Sequence, residues 1–290
     1  MRREGCLFPL FSIIPGREVI KINIAIIGCG TVGNALKKTL EKYKEKISVY
    51  DPFKGFKDDI SLAEIIFITV PTNDIEHEVL DEAITYVVKH NKYGLIAIKS
   101  TVKPGTTDYY YEKYRDDKRD FAFVPEFLRE NSALNDSLKP DKIVIGAYNI
   151  RSVQLIKQAF SGLITEYQMI AEGKVLVMKP IEAELAKIGL NSLAMLKVVY
   201  ANELYDICKA YEANYELIYK VFELDQNINS RHLQPLIDSY RGAGGKCLRK
   251  DSNFLIDAGM KKSETPNTLL TAQKINEIYL KETGYDFSGQ

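Results

Sequence analysis

The segment Gly242-Ala-Gly-Gly-Lys-Cys-Leu-Arg-Lys-Asp251 places one cysteine beside three glycines, two lysines and an aspartate. Glycines let a backbone come close to a substrate, and neighbouring lysine charge favours the reactive thiolate form of Cys247. Such a thiolate can attack a carbonyl carbon and form a covalent intermediate. The alternative is that Cys247 is a small buried hydrophobic residue, the role that we predict for Cys29 and Cys208.

A second candidate pair lies on a long predicted helix, Ile181–Tyr215, which Pro180 precedes. Lys187 and Asn191 are four residues apart on this helix, so their side chains share one face. Both side chains can donate hydrogen bonds to a developing oxyanion. Alternatively, they are two polar residues on a solvated helix face.

A glycine-rich turn, Gly28-Cys-Gly-Thr-Val-Gly33, follows a β-branched run and opens a helical pattern. Asp51 ends the next predicted strand, eighteen residues past Gly33. This strand–turn–helix–strand context is typical of a dinucleotide site, in which the helix N-terminus receives the pyrophosphate. Asp51 would accept hydrogen bonds from the adenosine ribose and repel a 2′-phosphate, which favours NAD over NADP. Lys54 and Lys57 weaken that preference, and a plain glycine turn with a surface aspartate is the alternative.

Short apolar runs alternate with helical patterns through the first half of the chain, and the second half is mainly helical. This order predicts an α/β fold, a Rossmann-type doubly wound sheet followed by an all-helical domain, to which the family resemblance given below assigns dimerisation and substrate binding. Only nine residues separate Asp51 from Ser61, so we expect the usual next helix and strand to be missing. The predicted strands lie in INIAIIG, ISVYD, AEIIFITVP, YGLIAIKST, DFAFVP and DKIVIGA, and the further helices in 75–90, 151–162, 216–235, 251–260 and 267–282.

The composition narrows the class of protein. The 290 residues, 46% of them hydrophobic, suffice for two domains. Lys+Arg and Asp+Glu balance at 39 each, which argues against binding to nucleic acid or an anionic membrane. Four cysteines without a Cys-x-x-Cys pair and three scattered histidines predict no metal site and a reducing, cytoplasmic location. No apolar run reaches the ~18 residues of a membrane span.

The first twenty residues begin basic and turn apolar, as in a weak signal peptide. Two prolines, the pair Arg17-Glu18 and the lack of a small-residue cleavage site argue against that reading. We therefore predict an N-terminal extension (1–20), a nucleotide-binding domain (21–178) and a helical domain (179–290).

Taken in order, six motifs resemble the UDP-sugar 6-dehydrogenase family over residues 21 to about 285. They are GCGTVG (28–33), VPT (70–72), KSTVKPGTT (99–107), PEFLREN (125–131), ELAKIGLN (184–191) and GAGGKCLRKD (242–251). The resemblance implies oxidation of a sugar CH₂OH to a carboxylate with two NAD, through a thiohemiacetal and a thioester on Cys247. It also implies that Lys187 and Asn191 stabilise the oxyanion, that Asp251 holds Lys187 or a water, and that Glu126, with Thr101 near it, is the hydrolytic base.

The same resemblance implies further contacts. The implied cofactor contacts are Gly28, Gly30, Thr31, Val32, Gly33, Asp51, Thr72, Thr101, Glu130 and Lys250. The implied substrate contacts are Glu126, Phe127, Leu128, Arg129, Glu130, Lys187, Asn191, Arg231, Tyr240 and Gly244. Arg231 lies where the family places an arginine that reaches the substrate of a neighbouring subunit, which, with the apolar 181–215 helix, implies a homodimer.

The chain departs from the family where a C-terminal UDP-binding domain is expected to begin, near Gln290. Three alternatives follow: a minimal dehydrogenase, a chain completed by a second polypeptide, or an NAD-binding protein without turnover. The β-hydroxyacid dehydrogenases are the alternative enzyme class, because they also use a helix-borne Lys-x-x-x-Asn but need no cysteine.

Overall fold

The computed structural model describes residues 22–44, 46–72, 78–117, 119–129, 132–166, 173–237 and 240–285. The predicted extension 1–20 and Glu130 lie outside them. Two compact units are present. The sheet unit comprises the described residues up to Ser100 together with Gly105–Ala183, and the helical unit comprises Thr101–Pro104 and the residues from Glu184 onward. The domain boundaries predicted from sequence stay predictions.

The sheet unit is built on eight strands in the order β3-β2-β1-β4-β5-β6-β7-β8. The strands are β1 (Ile24–Ile27), β2 (Ile47–Asp51), β3 (Phe56–Lys57), β4 (Ile65–Ile68), β5 (Leu95–Ile98), β6 (Phe121–Phe123), β7 (Ile143–Ala147) and β8 (Val175–Met178). All neighbours are parallel except the β2–β3 and β6–β7 pairs. The helices are α1 (Thr31–Glu41), α2 (Glu78–His90), α3 (Thr106–Lys113), α4 (Ala133–Leu138), α5 (Ile150–Ala159) and α6 (Ser161–Glu166).

The apolar runs of the sequence form the centre of this sheet. Every residue of β1, β4 and β5 is buried, as expected for parallel strands that are covered on both faces. The strand order reverses between β1 and β4, the switch point at which ligands bind in open α/β sheets. The predicted Rossmann-type α/β fold followed by a helical region is confirmed.

The short gap after Asp51 tests one expectation. Between Asp51 and Ser61, all of which the structure describes, the chain forms a single turn of 3₁₀ helix (Pro52–Lys54) and then β3. β3 pairs antiparallel with β2 as a two-residue edge strand. The usual crossover helix and its parallel strand are therefore missing, as expected, but the edge beside β2 is not left unpaired, because a tight antiparallel hairpin needs far fewer residues than a parallel crossover.

The helical unit contains most of one long helix and three shorter ones. These are α7 (Pro180–Ala210), α8 (Tyr215–Leu224), α9 (Lys246–Lys261) and α10 (Asn267–Glu282), with a hairpin of β9 (Leu236–Ile237) and β10 (Tyr240–Arg241) before α9. The prediction of a helix over 216–235 extended too far, since α8 ends at Leu224. The predicted start of α9 at 251 was too late by five residues. No helix in the described part of the chain is both long and apolar enough to cross a membrane.

Candidate active site

The glycine-rich turn joins β1 to α1 at the switch point of the sheet. A Cβ on Gly33 would lie 2.2 Å from the Gly28 carbonyl oxygen, so α1 approaches the turn as closely as glycine allows. A Cβ on Gly30 would meet nothing within 4 Å, which leaves open space above the backbone. No side chain caps α1, whose N-cap residue is Gly30. An open backbone and an uncapped helix N-terminus fit the pyrophosphate of a dinucleotide.

Two charged side chains from the β2–β3 hairpin hold this turn. The Cys29 N–H donates to Asp51 Oδ2 at 2.7 Å, and Lys54 Nζ donates to the Cys29 carbonyl oxygen at 2.7 Å. The carboxylate of Asp51 is thereby fixed beside the turn, where the sequence predicts ribose binding. Cys29 itself is buried, and burial raises the pKa of its thiol above the ordinary value, so Cys29 is suited to packing.

A buried lysine supports the loop that carries Glu126. Lys99, only 9% exposed, donates from Nζ to the carbonyl oxygens of Val124 and Pro125, both at 3.3 Å. Directly after them, Glu126 Oε2 accepts the Leu128 N–H at 2.6 Å. Lys99 belongs to the KSTVKPGTT motif, but its role in holding the Glu126 loop was not predicted from the sequence.

Arg129 is fixed in the same loop by Asp136. Its Nε and backbone N–H both lie 2.9 Å from Asp136 Oδ2, and Nη2 lies 2.5 Å from Oδ1. The hydrogen bonds from Arg129 hold the pKa of Asp136 well below its ordinary value. Ser132 adds a further hydrogen bond at 2.9 Å. The predicted substrate contacts Phe127 and Leu128 therefore belong to a loop that is tied to α4.

In the helical unit, Asp251 connects α9 to α7. Asn191 Nδ2 donates to Asp251 Oδ2 at 2.5 Å, and Lys250 Nζ lies 3.0 Å from Oδ1. Asp251 is 1% exposed, and its Oδ1 accepts no aligned hydrogen bond from the described residues. Lys187, one turn before Asn191, is also buried at 5% exposure. The contacts of Asp251 are with Asn191 and Lys250, and Oδ1 retains the capacity to accept from a water or a hydroxyl group.

Cys247 lies in the first turn of α9, one turn before Asp251, and is an exposed cysteine that forms no disulfide with the other described cysteines. The N-terminus of a helix carries partial positive charge, which stabilises a thiolate there. The other two described cysteines, Cys29 and Cys208, are buried. Exposure and position therefore separate Cys247 from them.

The segment before α9 is anchored to α7. Arg241 donates from Nε to Asn202 Oδ1 at 2.9 Å and from Nη2 to Asp206 Oδ2 at 2.7 Å. It also lies over the ring of Tyr279 on α10, 4.2 Å from the centroid. None of these anchors was predicted from the sequence.

Two further predicted regions belong to the helical unit. In the segment Thr101–Pro104, Lys103 Nζ lies 3.4 Å from Asp257 Oδ2 and 5.5 Å from the ring of Phe254, so this segment packs on α9. Arg231 is exposed on the loop after α8, and its carbonyl oxygen accepts from Lys197 Nζ at 3.4 Å. The described contacts do not link Arg231 to Cys247.

Two sequence models of one family match most of the chain. The UDP-glucose/GDP-mannose dehydrogenase family, NAD binding domain, matches residues 48–164, and the central domain of that family matches residues 181–278. The chain thus contains the NAD-binding domain of this family, with NAD as cofactor.

Individual proteins give the same result. A UDP-glucose 6-dehydrogenase of Rickettsia felis is 34% identical over 224 residues, which are 74% of this chain and 47% of that enzyme. The chain spans about half the length of the curated relatives it matches, with 56% covered in the Rickettsia typhi enzyme. Among solved structures, a UDP-glucose dehydrogenase from Pyrobaculum islandicum aligns with a TM-score of 0.73 at 23% identity, covering 92% of this chain and 70% of that one. At this identity the structural likeness shows the fold alone.

We predict that Asp136→Asn lowers the midpoint of thermal unfolding by about 1–3 °C at neutral pH. Because the folded-state pKa of Asp136 is depressed, its contribution is complete above the unfolded value of about 3.9 and is lost as pH falls through the depressed folded value. The measurement is thermal unfolding of both proteins between pH 7 and pH 2.

Glu112→Gln is the control, since it removes an exposed ion pair with Arg115 at 3.5 Å, which contributes little. A difference between wild type and Asp136→Asn that stays constant down to pH 2 would contradict the assignment.

Proposed function

Because the chain belongs to the UDP-glucose/GDP-mannose dehydrogenase family, we propose that it oxidises the C6 alcohol of a UDP-sugar to the carboxylate. The observation that carries the proposal is the exposed thiol of Cys247 at the start of α9, one turn from the buried Asp251, which accepts from Asn191. UDP-glucose is the substrate class to test first, since similar proteins are named UDP-glucose 6-dehydrogenases. An NADH assay across a panel of UDP-sugars tests the proposal.

The residues have complementary chemical roles in this proposal. NAD, when bound at the glycine turn, accepts the hydride in both oxidations. Between them, the Cys247 thiolate adds to the aldehyde carbon, and Lys187 and Asn191 donate to the oxyanion that forms. Water then cleaves the resulting thioester, with Glu126 taking its proton. Overall, the alcohol, one water and two NAD⁺ give a carboxylate, two NADH and three protons.

In this proposal, Asp251 orients the side chains that surround the oxyanion. Its hydrogen bond from Asn191 fixes that amide, and its pairing with Lys250 orients a residue that the resemblance assigns to the cofactor. The family resemblance assigns Thr72 and Thr101 to cofactor binding. The same resemblance assigns Glu126, with Thr101 near it, to thioester hydrolysis. The support for Glu126 in the structure is the ordered loop that Lys99 and Asp136 stabilise on either side of it.

The proposal includes a homodimer built on α7. Leu193, Tyr200 and Ile207 recur every seven residues on this helix and are 53%, 51% and 54% exposed. A heptad stripe of large apolar side chains is typical of a helix that packs against another copy. Tyr211, 82% exposed, lies directly after the end of α7, four residues past Ile207, and adds a further large apolar side chain there.

The proposed location is the cytoplasm, where thiols stay reduced, because the three described cysteines form no disulfide. The proposal also keeps a second polypeptide that binds UDP as a candidate partner. Its test is the same NADH assay with and without an added UDP-binding domain from a relative, and a rise in turnover on addition supports it.

We predict that Asp51→Ala weakens NAD binding by roughly tenfold or more and narrows the preference over NADP, because charge-assisted hydrogen bonds to the ribose are lost. Calorimetric titration with both dinucleotides measures the effect. Asp59→Ala, which removes an exposed carboxylate of the following loop, is the control. A wild-type preference for NADP would contradict the assignment of Asp51 to the adenosine ribose.

We predict two NADH per sugar for the wild type and no second oxidation for Cys247→Ser. In Glu126→Gln, hydrolysis should slow by about 10²- to 10⁴-fold, so the thioester accumulates on Cys247 and appears by intact-protein mass spectrometry. Cys208→Ser, a change at a buried cysteine of α7, should keep the stoichiometry. One NADH per sugar with a free aldehyde or ketone would instead indicate a hydroxyacid-type dehydrogenase.

For the dimer, we expect light scattering at micromolar concentration to give twice the chain mass of 32.9 kDa. Tyr200→Glu should shift the protein toward monomer, because it buries a charge in the apolar stripe. Lys209→Gln, at an exposed position of α7 two residues past Ile207 and therefore on another face of the helix, should leave the mass unchanged. A monomeric wild type refutes the assembly.

A further inference from the structure

The backbone that leads to Cys247 is held from α10 at every second residue. The Arg241 N–H donates to Thr283 Oγ1 at 3.1 Å, and the Ala243 N–H donates to Asn276 Oδ1 at 2.6 Å. The Gly245 N–H donates to the hydroxyl of Tyr285 at 2.7 Å. Three side chains of one C-terminal region therefore fix the approach to α9, and Tyr285 supplies the contact closest to the thiol.

The position of Tyr285 is set by the way α10 ends. The Gly284 N–H donates to the Lys281 carbonyl at 3.1 Å, and the Tyr285 N–H donates to the Leu280 carbonyl at 2.9 Å. Gly284 has φ +68°, so these two bonds form a Schellman-type helix end. Leu280 is fully buried, which anchors this end of the helix. The helix therefore ends before Tyr285, whose backbone is tied to the last turn of α10.

Gly244 lies between two aromatic rings. The rings of Tyr240 and Tyr285 have centroids 4.6 Å apart, and a Cβ on Gly244 would come within 2.6 Å of a carbon of each. The next residue, Gly245, is the N-cap of α9 and has φ +72°. Because neither glycine has a side chain, the ring and hydroxyl of Tyr285 contribute directly to the order of this turn.

We propose that Tyr285 is a positioning residue for Cys247, acting through the Gly245 N–H and the ring contact at Gly244. The inference rests on the proposed function only in taking Cys247 as the nucleophile. Cys247 lies two residues after Gly245, in the first turn of α9. The partial charge of a helix N-terminus falls off within one turn, so an ordered first turn is needed for it to stabilise the thiolate. Tyr285 keeps that turn in place.

The test is the pH dependence of Cys247 alkylation in Tyr285→Phe, which keeps the ring and removes the hydroxyl. Iodoacetamide is the probe, and peptide mass spectrometry assigns the modified cysteine. The midpoint of the alkylation profile should move to higher pH, with the rate at pH 7 lowered about threefold or more, since the thiolate is the reacting form. If Tyr285 contributed only to stability, the pH midpoint of alkylation would not change at temperatures at which the protein stays folded.

Tyr215→Phe is the matched control, because it also removes one tyrosine hydroxyl, which donates to the Leu233 carbonyl at 2.6 Å in the same unit. Its profile should coincide with that of the wild type.

Gly244→Ala is the second variant, since its methyl group displaces the Tyr285 ring while the hydroxyl remains, and its midpoint should move in the same direction as that of Tyr285→Phe. Thr283→Val, which removes the contact most distant from Cys247, should give a smaller shift.

Superimposable profiles for the wild type, Tyr285→Phe and Gly244→Ala would overturn the proposal, as would an equal shift in Tyr215→Phe. The measurement uses neither sugar nor NAD. An absence of UDP-sugar turnover would therefore count against the proposed function and leave the role of Tyr285 decided by the alkylation profiles.

Discussion

The candidate active site depends on one constraint: the backbone segment before the Cys247 thiol has almost no side chains that could fix its conformation. Residues 242–245 are three glycines and one alanine, so their order must come from neighbouring elements. Asn276 supplies part of it, since its amide bonds both the N–H and the carbonyl oxygen of Ala243, at 2.6 and 3.2 Å. Arg241, Thr283 and Tyr285 supply the rest. Arg241 ties the segment to Asp206 of α7, and Thr283 and Tyr285 accept from the N–H groups of Arg241 and Gly245. The thiol is therefore positioned through contacts with α7 and with the end of α10.

The glycine turn of the sheet unit has the same arrangement. Asp51 and Lys54 bond the two backbone groups of Cys29, and Thr69 Oγ1 donates to the Gly28 carbonyl at 2.7 Å. In both places glycine lets neighbouring groups approach the backbone closely, and polar side chains from other elements replace the order that glycine removes. The short β2–β3 hairpin fits this arrangement, because it places the carboxylate of Asp51 at the N–H and the ammonium group of Lys54 at the carbonyl oxygen of the same residue, Cys29.

How far the sequence predicts this structure depends on the kind of signal. The buried strands appear in the sequence as uninterrupted apolar runs, and the helices α7, α9 and α10 appear as apolar residues at helical spacing. By contrast, β8 is only partly buried, α4 and α6 are six residues long, and β9 and β10 have two residues each, so none of them offers enough repeats to detect. The motif residues of the candidate site were predictable because their types and spacing resemble a family, not because any periodicity requires them.

Besides secondary-structure elements and motif residues, a third class consists of residues whose side chains fix a neighbouring backbone segment. These residues differ in how easily a sequence reveals them. Asn276 is fully buried on the same stripe of α10 as Leu269, Ala272 and Leu280, so a polar residue on an apolar helix face was a detectable signal. A buried amide must find hydrogen-bond partners, and glycine-rich backbone is a ready source of them. Lys99 and Tyr285 have no such pattern, because each is defined only by the loop that folding brings to it. Sequence motifs therefore identify the groups that could react. The tertiary structure identifies the side chains that fix those reactive groups in position.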